Sequence, residues 1–439
     1  MLARQLPCLT RSRRTLCATA AVAALAVPAA PRAAAPGSQA APRHVSYLGY
    51  TFAVPRSWPV IDLARGQRTC VRFDLHAVYL GDPAGNQSCP SLLVGTTQAV
   101  LIHPAPGSAA VSSVEDPVAK QITATAPRIK VTATFDGKPG QIDQILASAS
   151  LPSPVIQFPN PADAAAGPAA GQDGPAARPA LSAAVADYHG IGFDACSAPD
   201  GAYMRAWRRM SPYRAIGVYI GGSDEACAQP NLTRPWLLSQ AAAGWRFIPM
   251  YVGPQAEFGE LSGTPGRQGS AAADDAVTQA QRLGLGPRTP LYYDMEAYPP
   301  GQTAASLRFL SAWTSRLHAL GYSSGIYSSS GSGITDLARQ YFTHRYAMPD
   351  VIYDALWNGE HNTADPAYRA GGWAGHRRVH QYAGNVLQTY GGDTIDIDQD
   401  YVNVSLPRPA ATSSASPAVT RRAGTAAAAS PDSGLRYLR

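Results

Sequence analysis

From residue 188 to residue 405, short strand-like runs alternate with helix-like runs, and few architectures accommodate that alternation over such a length. Strand-like segments lie at 191–196, 215–222, 246–252, 291–298, 324–328, 351–357, 378–382 and 394–399, with helix-like segments at 200–210, 235–244, 270–283, 304–320 and 334–342. Eight strands interleaved with helices predict an α/β fold, a (β/α)8 TIM barrel, although the helical pattern fades after the sixth strand. Such a barrel carries its chemistry at the C-terminal ends of the strands.

The rest of the 439-residue chain divides by composition. Residues 1–35 read as an export signal: Arg11, Arg13 and Arg14 precede an apolar run from Leu16 to Val27, and Ala33-Ala34-Ala35 offers a small-residue cleavage site. The arginine pair also fits a twin-arginine signal, so Sec and twin-arginine export both stay open. Residues 44–151 contain short alternating runs broken by turns, which predict a small mainly-β domain. Residues 152–187, rich in Pro, Ala and Gly, predict a linker, and residues 406–439 a disordered tail.

The formal charge of +6 comes largely from arginines near the two ends, so the middle is close to neutral and a nucleic-acid partner is not expected. No run reaches the roughly 18 apolar residues of a transmembrane helix. Removing the signal with Cys8 and Cys17 leaves four cysteines, and in an exported chain chain order favours the disulfides Cys70–Cys89 and Cys196–Cys227.

The residues that end the barrel strands are chemically pointed. Asp294 and Glu296 occupy positions i and i+2 of the fourth strand, an alternation that places both on one face. Two acids in an apolar strand are costly unless function or a counter-charge compensates. Asp194 ends the first strand, while Tyr219, Tyr251, Tyr327 and Trp357 end the second, third, fifth and sixth. Gln381 ends the seventh, and Asp396 and Asp398 lie on the eighth, sharing a face. Acids ringed by aromatic side chains suit a sugar, because rings stack on pyranose faces and carboxylates bond hydroxyls and move protons. Each residue alone has a plainer reading, Asp294 as an arginine partner or helix cap and the tyrosines as packing. No His pair has metal-ligand spacing within one strand and no Gly-x-Ser-x-Gly elbow lies at a strand-to-helix turn, so neither a metal nor a cofactor is expected.

At the segments Gly192-Phe193-Asp194-Ala195-Cys196, Tyr219-Ile220-Gly221-Gly222, Cys227 to Thr233, Gly244-Trp245 and Ile248 to Gly253, the sequence resembles the glycoside-hydrolase-like TIM-barrel domain of exported actinobacterial proteins. More distantly it resembles the muramidases of glycoside hydrolase family 25. That resemblance implies Glu296 as proton donor, with Asp294, Asp194 and Asp396 or Asp398 handling oxocarbenium-like charge. Glu296, Asp294 and Asp194 are therefore the candidate catalytic residues. Tyr219, Tyr251, Tyr327, Trp357, Gln381, Asp396 and Asp398 are the candidate substrate-binding residues. The expected partner is a polysaccharide or peptidoglycan. The expected activity is carboxylate acid/base hydrolysis, with a non-catalytic glycan-binding barrel as the alternative. Alternate strand positions lie about 6.5–7 Å apart, which leaves retention and inversion both open.

Overall fold

The computed structural model describes residues 41–406, apart from 67, 85–86, 91–92, 106, 108–109, 158–180, 182–186 and 370. The predicted export signal, most of the predicted linker and nearly all of the predicted tail lie outside the described residues.

A β-rich region comes first. β1 (Arg43–Tyr47) and β2 (Tyr50–Val54) form an antiparallel hairpin. β3 (Val60–Asp62), β4 (Val78–Leu80), β5 (Ala99–Ala105), β6 (Ser112–Asp116), β7 (Gln121–Ala126), β8 (Arg128–Thr134) and β9 (Val155–Ile156) form a sheet in the order β3-β4-β5-β8-β7-β6-β9. The inward residues of β7 and β8 alternate, Ile122 and Ala124 against Ile129, Val131 and Ala133, as a half-buried sheet requires. α1 (Gly140–Ser148) closes this core with Ile142, Ile145 and Leu146.

The barrel follows as β10 (Asp187–Asp194), α2 (Gly201–Met210), β11 (Ala215–Tyr219), α3 (Arg234–Ala242), β12 (Arg246–Tyr251), α4 (Pro265–Arg282) and β13 (Pro290–Asp294). It continues as α5 (Thr303–Ala319), β14 (Ser323–Ser329), α6 (Thr335–Gln340), β15 (Val351–Ala355), β16 (Arg377–Tyr390) and β17 (Asp393–Ser405). Local signals set the helix starts: Asp200 accepts from the amides of Ala202 and Tyr203 to cap α2, and Thr233 from that of Trp236 to cap α3. Strands β10 to β17 close into a barrel in chain order.

The barrel departs from the expected all-parallel arrangement. β10 to β16 are parallel, but β17 runs antiparallel to both β16 and β10. The cause is the connection. Gly391 and Gly392, both at positive φ, turn the chain between Tyr390 and Asp393, whereas a parallel return needs a crossover of about a dozen residues. The fading helical pattern after the sixth strand is first a connection from β15 to β16 with no helix among its described residues, and then this long hairpin.

Two apolar layers hold the barrel. Outward residues such as Phe193, Ile216, Phe247, Tyr293 and Ile326 pack on the helices through Trp207, Trp313 and Leu317. The interior is filled by Ala215, Ile248, Met250, Tyr292, Val351, Val379, Val402 and Val404.

The described residues from Pro42 onward belong to one compact unit. The structure contains disulfides Cys70–Cys89 and Cys196–Cys227. Although the first lies in the β-rich region and the second joins two barrel loops, they abut one another at the junction. Backbone pairing adds to that contact: the Phe73 amide donates to Ala226 at 2.9 Å and the Gly95 amide to Asp224 at 2.8 Å.

Candidate active site

Strand register brings the inward polar residues into one ring. Asp194 stands opposite Gly217 and Asp398, Asp294 opposite Tyr327, Tyr327 opposite Tyr353, and Gln381 opposite Asp400. Gly217 makes room: a Cβ there would clash with the Cβ of Asp194.

Asp194 is 0% exposed and is the hub. Its Oδ2 accepts from the Tyr353 hydroxyl at 2.7 Å and from Gln381 Nε2 at 3.0 Å, and its Oδ1 from the Tyr219 hydroxyl at 3.2 Å. Gln381 Nε2 also donates to Asp398 at 3.2 Å, while its Oε1 accepts from the Tyr327 hydroxyl at 3.1 Å and from Trp357 Nε1 at 2.9 Å. Gln381 thus fixes acids on one side and aromatic residues on the other.

The Tyr353 hydroxyl lies 2.7 Å from Asp194 and 2.6 Å from Asp400. One hydroxyl carries one proton, so it cannot donate to both carboxylates, and one of the acids must be protonated. Burial raises both, and for Asp400 the charges of Asp194 and Asp398 add to it. Asp194 is pulled back by three donors and Asp400 by Tyr353 alone, so Asp400 is the acid held further above its ordinary value.

β13 ends at Asp294, and Glu296 stands in the turn beyond it rather than on the strand. The expected strand alternation therefore does not place Glu296; Gln255 does. Its Nε2 donates to the Asp294 carbonyl at 2.8 Å and its Oε1 accepts from the Glu296 amide at 3.0 Å, which clamps the backbone around Met295. Asp294 is 2% exposed and its Oδ1 has no hydrogen-bond partner among the described residues. Burial first, then the charges of Glu296, Asp194 and Asp398, hold its carboxyl well above the usual range. Glu296 is partly exposed and pushed up to about 7, by burial and then by Glu257 and Asp194. At neutral pH it is poised to hold or release a proton.

Trp357 sits on the rim, 50% exposed despite its size. Its ring lies flat on Gly384, where a Cβ would collide with it, and Nε1 is tied to Gln381. A large aromatic face held rigidly toward solvent beside a cluster of acids is a ready platform for a sugar ring.

Residues 205–402 match the Rv2525c-like, glycoside hydrolase-like domain. This is the family resemblance that the motifs between Gly192 and Gly253 carry. No curated protein matches the chain. Among solved structures, an uncharacterized B. stearothermophilus protein is 19% identical over 48% of this chain and 95% of that one, with a TM-score of 0.34. The modular autolysin LytC from Streptococcus pneumoniae is 11% identical over 66% of this chain and 58% of that one, with a TM-score of 0.33. The catalytic domain of the endolysin ply40 from bacteriophage P40 of Listeria monocytogenes is 12% identical over 49% and 93%, with a TM-score of 0.29.

Within the barrel, Asp194, Tyr219, Asp294, Tyr327, Gln381 and Asp398 share the inward face, with Glu296 and Trp357 above them. Tyr251 does not join them. Because Met250 points inward, Tyr251 points out, and its hydroxyl donates to Asp275 of α4 at 2.7 Å. Asp396 is also displaced: it stands opposite Leu387 in the hairpin beyond the ring, and Asp398 is the acid level with Asp194. Three residues were missed. Asp400 continues the 396/398/400 alternation past the point where the eighth strand was expected to end, and Tyr353 is in phase with inward Val351. Gln255 lies in a loop, and no sequence signal marks it.

Proposed function

We propose that this is an exported protein that cleaves a cell-wall glycan, peptidoglycan being the foremost candidate, through carboxylate acid/base chemistry. One observation carries the reading: Glu296, a partly exposed acid pushed up to about 7, feels the charge of Asp194, a buried acid that accepts from three donors. That is the division of labour glycoside hydrolysis requires. Glu296 gives its proton to the leaving glycosidic oxygen as the C–O bond breaks, Asp194 steadies the positive charge that develops on the sugar, and water adds at that carbon, losing its proton to a carboxylate of the site. Asp294 is the further carboxyl in reach of that charge. Trp357 stacks a neighbouring ring, while Tyr219, Tyr327 and Gln381 orient the acids and bond hydroxyls. The two disulfides fit an extracellular setting, in line with the export signal read at residues 1–35.

A glycan-binding role without cleavage is the second reading, favoured by the deep burial of Asp194, Asp398 and Asp400, each already bonded within the protein. Purified wall separates the two. A hydrolase releases reducing ends as wild type and loses them as Glu296→Gln while still sedimenting with the wall. Sedimentation without release by wild type, across a panel of wall glycans, would defeat the hydrolase reading and leave recognition.

A further inference from the structure

The turn between β6 and β7 reaches from the β-rich region to the barrel and ends on a lysine. Lys120 adopts a left-handed backbone conformation at φ 50°, which a lysine does not favour, so tertiary contacts must hold it. Its Nζ donates to Asp224 Oδ1 at 3.0 Å and to Glu260 Oε1 at 2.9 Å, both on barrel loops. Asp224 follows β11, where its amide donates to the Val252 carbonyl, and it is 1% exposed. The other oxygen of Glu260, Oε2, accepts from the Gln255 amide at 2.8 Å. Gln255, fully buried, is the residue whose side chain clamps the backbone of Asp294 and Glu296.

We infer that Lys120 is a positioning residue for the Asp294–Glu296 turn: it fixes Glu260, Glu260 fixes Gln255, and Gln255 sets where the Glu296 carboxyl stands. The β-rich region is then part of the site's framework and not a detachable attachment. The electrostatics agree. Burial alone would raise Glu260, but hydrogen bonds from Asp224, the Gln255 amide and Lys120 outweigh it and keep Glu260 charged, hence a strong acceptor. Burial and then Glu260 push Asp224 up to about 7, so the lysine and one shared proton together balance buried Asp224 and partly buried Glu260. Without the lysine a second proton must enter the pair, and the acceptor that anchors Gln255 weakens.

The catalytic part of this inference rests on the reading of Glu296 as the proton donor; the positional part does not, and the experiment keeps them apart. In the full chain, the Glu296 carboxyl is followed by carbon-13 NMR through a pH titration, its resonance assigned by its loss in Glu296→Gln. The groups that face it are Glu257, Asp194, Asp294 and Tyr327, all left intact. Lys120→Met should loosen the turn, expose Glu296 and move its titration down by about one pH unit toward the ordinary value. Release of reducing ends should fall about tenfold through kcat, with KM little changed. Lys120→Arg, which can still bridge two carboxylates, should restore both. Gln87→Ala removes a different junction contact, to Ser197 and Ala228, and should lower the melting temperature without moving the titration. If folded Lys120→Met titrates at Glu296 as wild type does, the inference is overturned. Should Lys120→Met fail to fold, Glu260→Gln cuts the same chain one link later and is judged by the same shift. A wild type that releases nothing defeats the hydrolase reading, while the titration still decides the role of Lys120.

Discussion

Replacing Glu296 by Gln should abolish turnover and at the same time make the folded protein more stable above pH 7. In the folded chain the carboxyl titrates at about 7 against an ordinary value of 4.5. Each pH unit of difference is worth about 1.4 kcal/mol, so keeping Glu296 ionised costs folding about 3 kcal/mol at high pH. The sign follows from proton uptake. Between 4.5 and about 7 the folded state binds a proton that the unfolded state has released, so stability falls as pH rises through that window. The penalty is absent below 4.5 and complete above about 7. Gln has the same shape and carries no charge. Thermal melts from pH 4 to pH 9 should therefore show the two proteins together at the acid end and the variant higher by roughly 5 °C at the alkaline end. A variant that gains equally at both ends, or that loses stability at pH 8, would refute the claim that its surroundings hold the Glu296 carboxyl above its ordinary value. The reasoning from its environment to its role as proton donor would go with it.

Other changes probe the rest of the ring. Tyr353→Phe removes the one hydroxyl between Asp194 and Asp400 and should cost about 2–4 kcal/mol in urea denaturation. A loss under about 0.5 kcal/mol would show that the hydroxyl does not hold the pair. Trp357→Ala should weaken binding of a chito- or muro-oligosaccharide about tenfold by calorimetry, with stability nearly unchanged because the ring is half exposed. Equal affinity would remove Trp357 from the site. Tyr251→Phe should cost about 1–2 kcal/mol by leaving Asp275 short of a donor, with KM as in wild type. A raised KM would contradict its placement in the helix layer.

The positions that sequence reasoning recovered share a cause. Asp194, Tyr219, Tyr327, Gln381 and Asp398 are strand residues, and alternation along a strand gives each a face once one neighbour is known to be apolar core. The same rule read one residue out of phase misplaced Tyr251. Strand ends are where the rule is weakest, since side-chain direction there depends on where the strand stops, and β13 stops at Asp294, two residues before Glu296.

By itself the sequence determined that a barrel of alternating strands and helices follows a β-rich region, that four cysteines pair in chain order, and that acids gather where strands end. These follow from local chemistry: periodicity, turn residues and covalent pairing at short range. Tertiary structure alone decided that the last strand runs backward, that Tyr353 makes Asp194 and Asp400 share a proton, and that Gln255 and Lys120 set the Glu296 turn. Each of those depends on groups far apart in the chain, 206 positions separating Asp194 from Asp400 and 176 separating Lys120 from Glu296. Distance of that kind leaves no period to read, because what joins the groups is register around a closed sheet and contact across a junction.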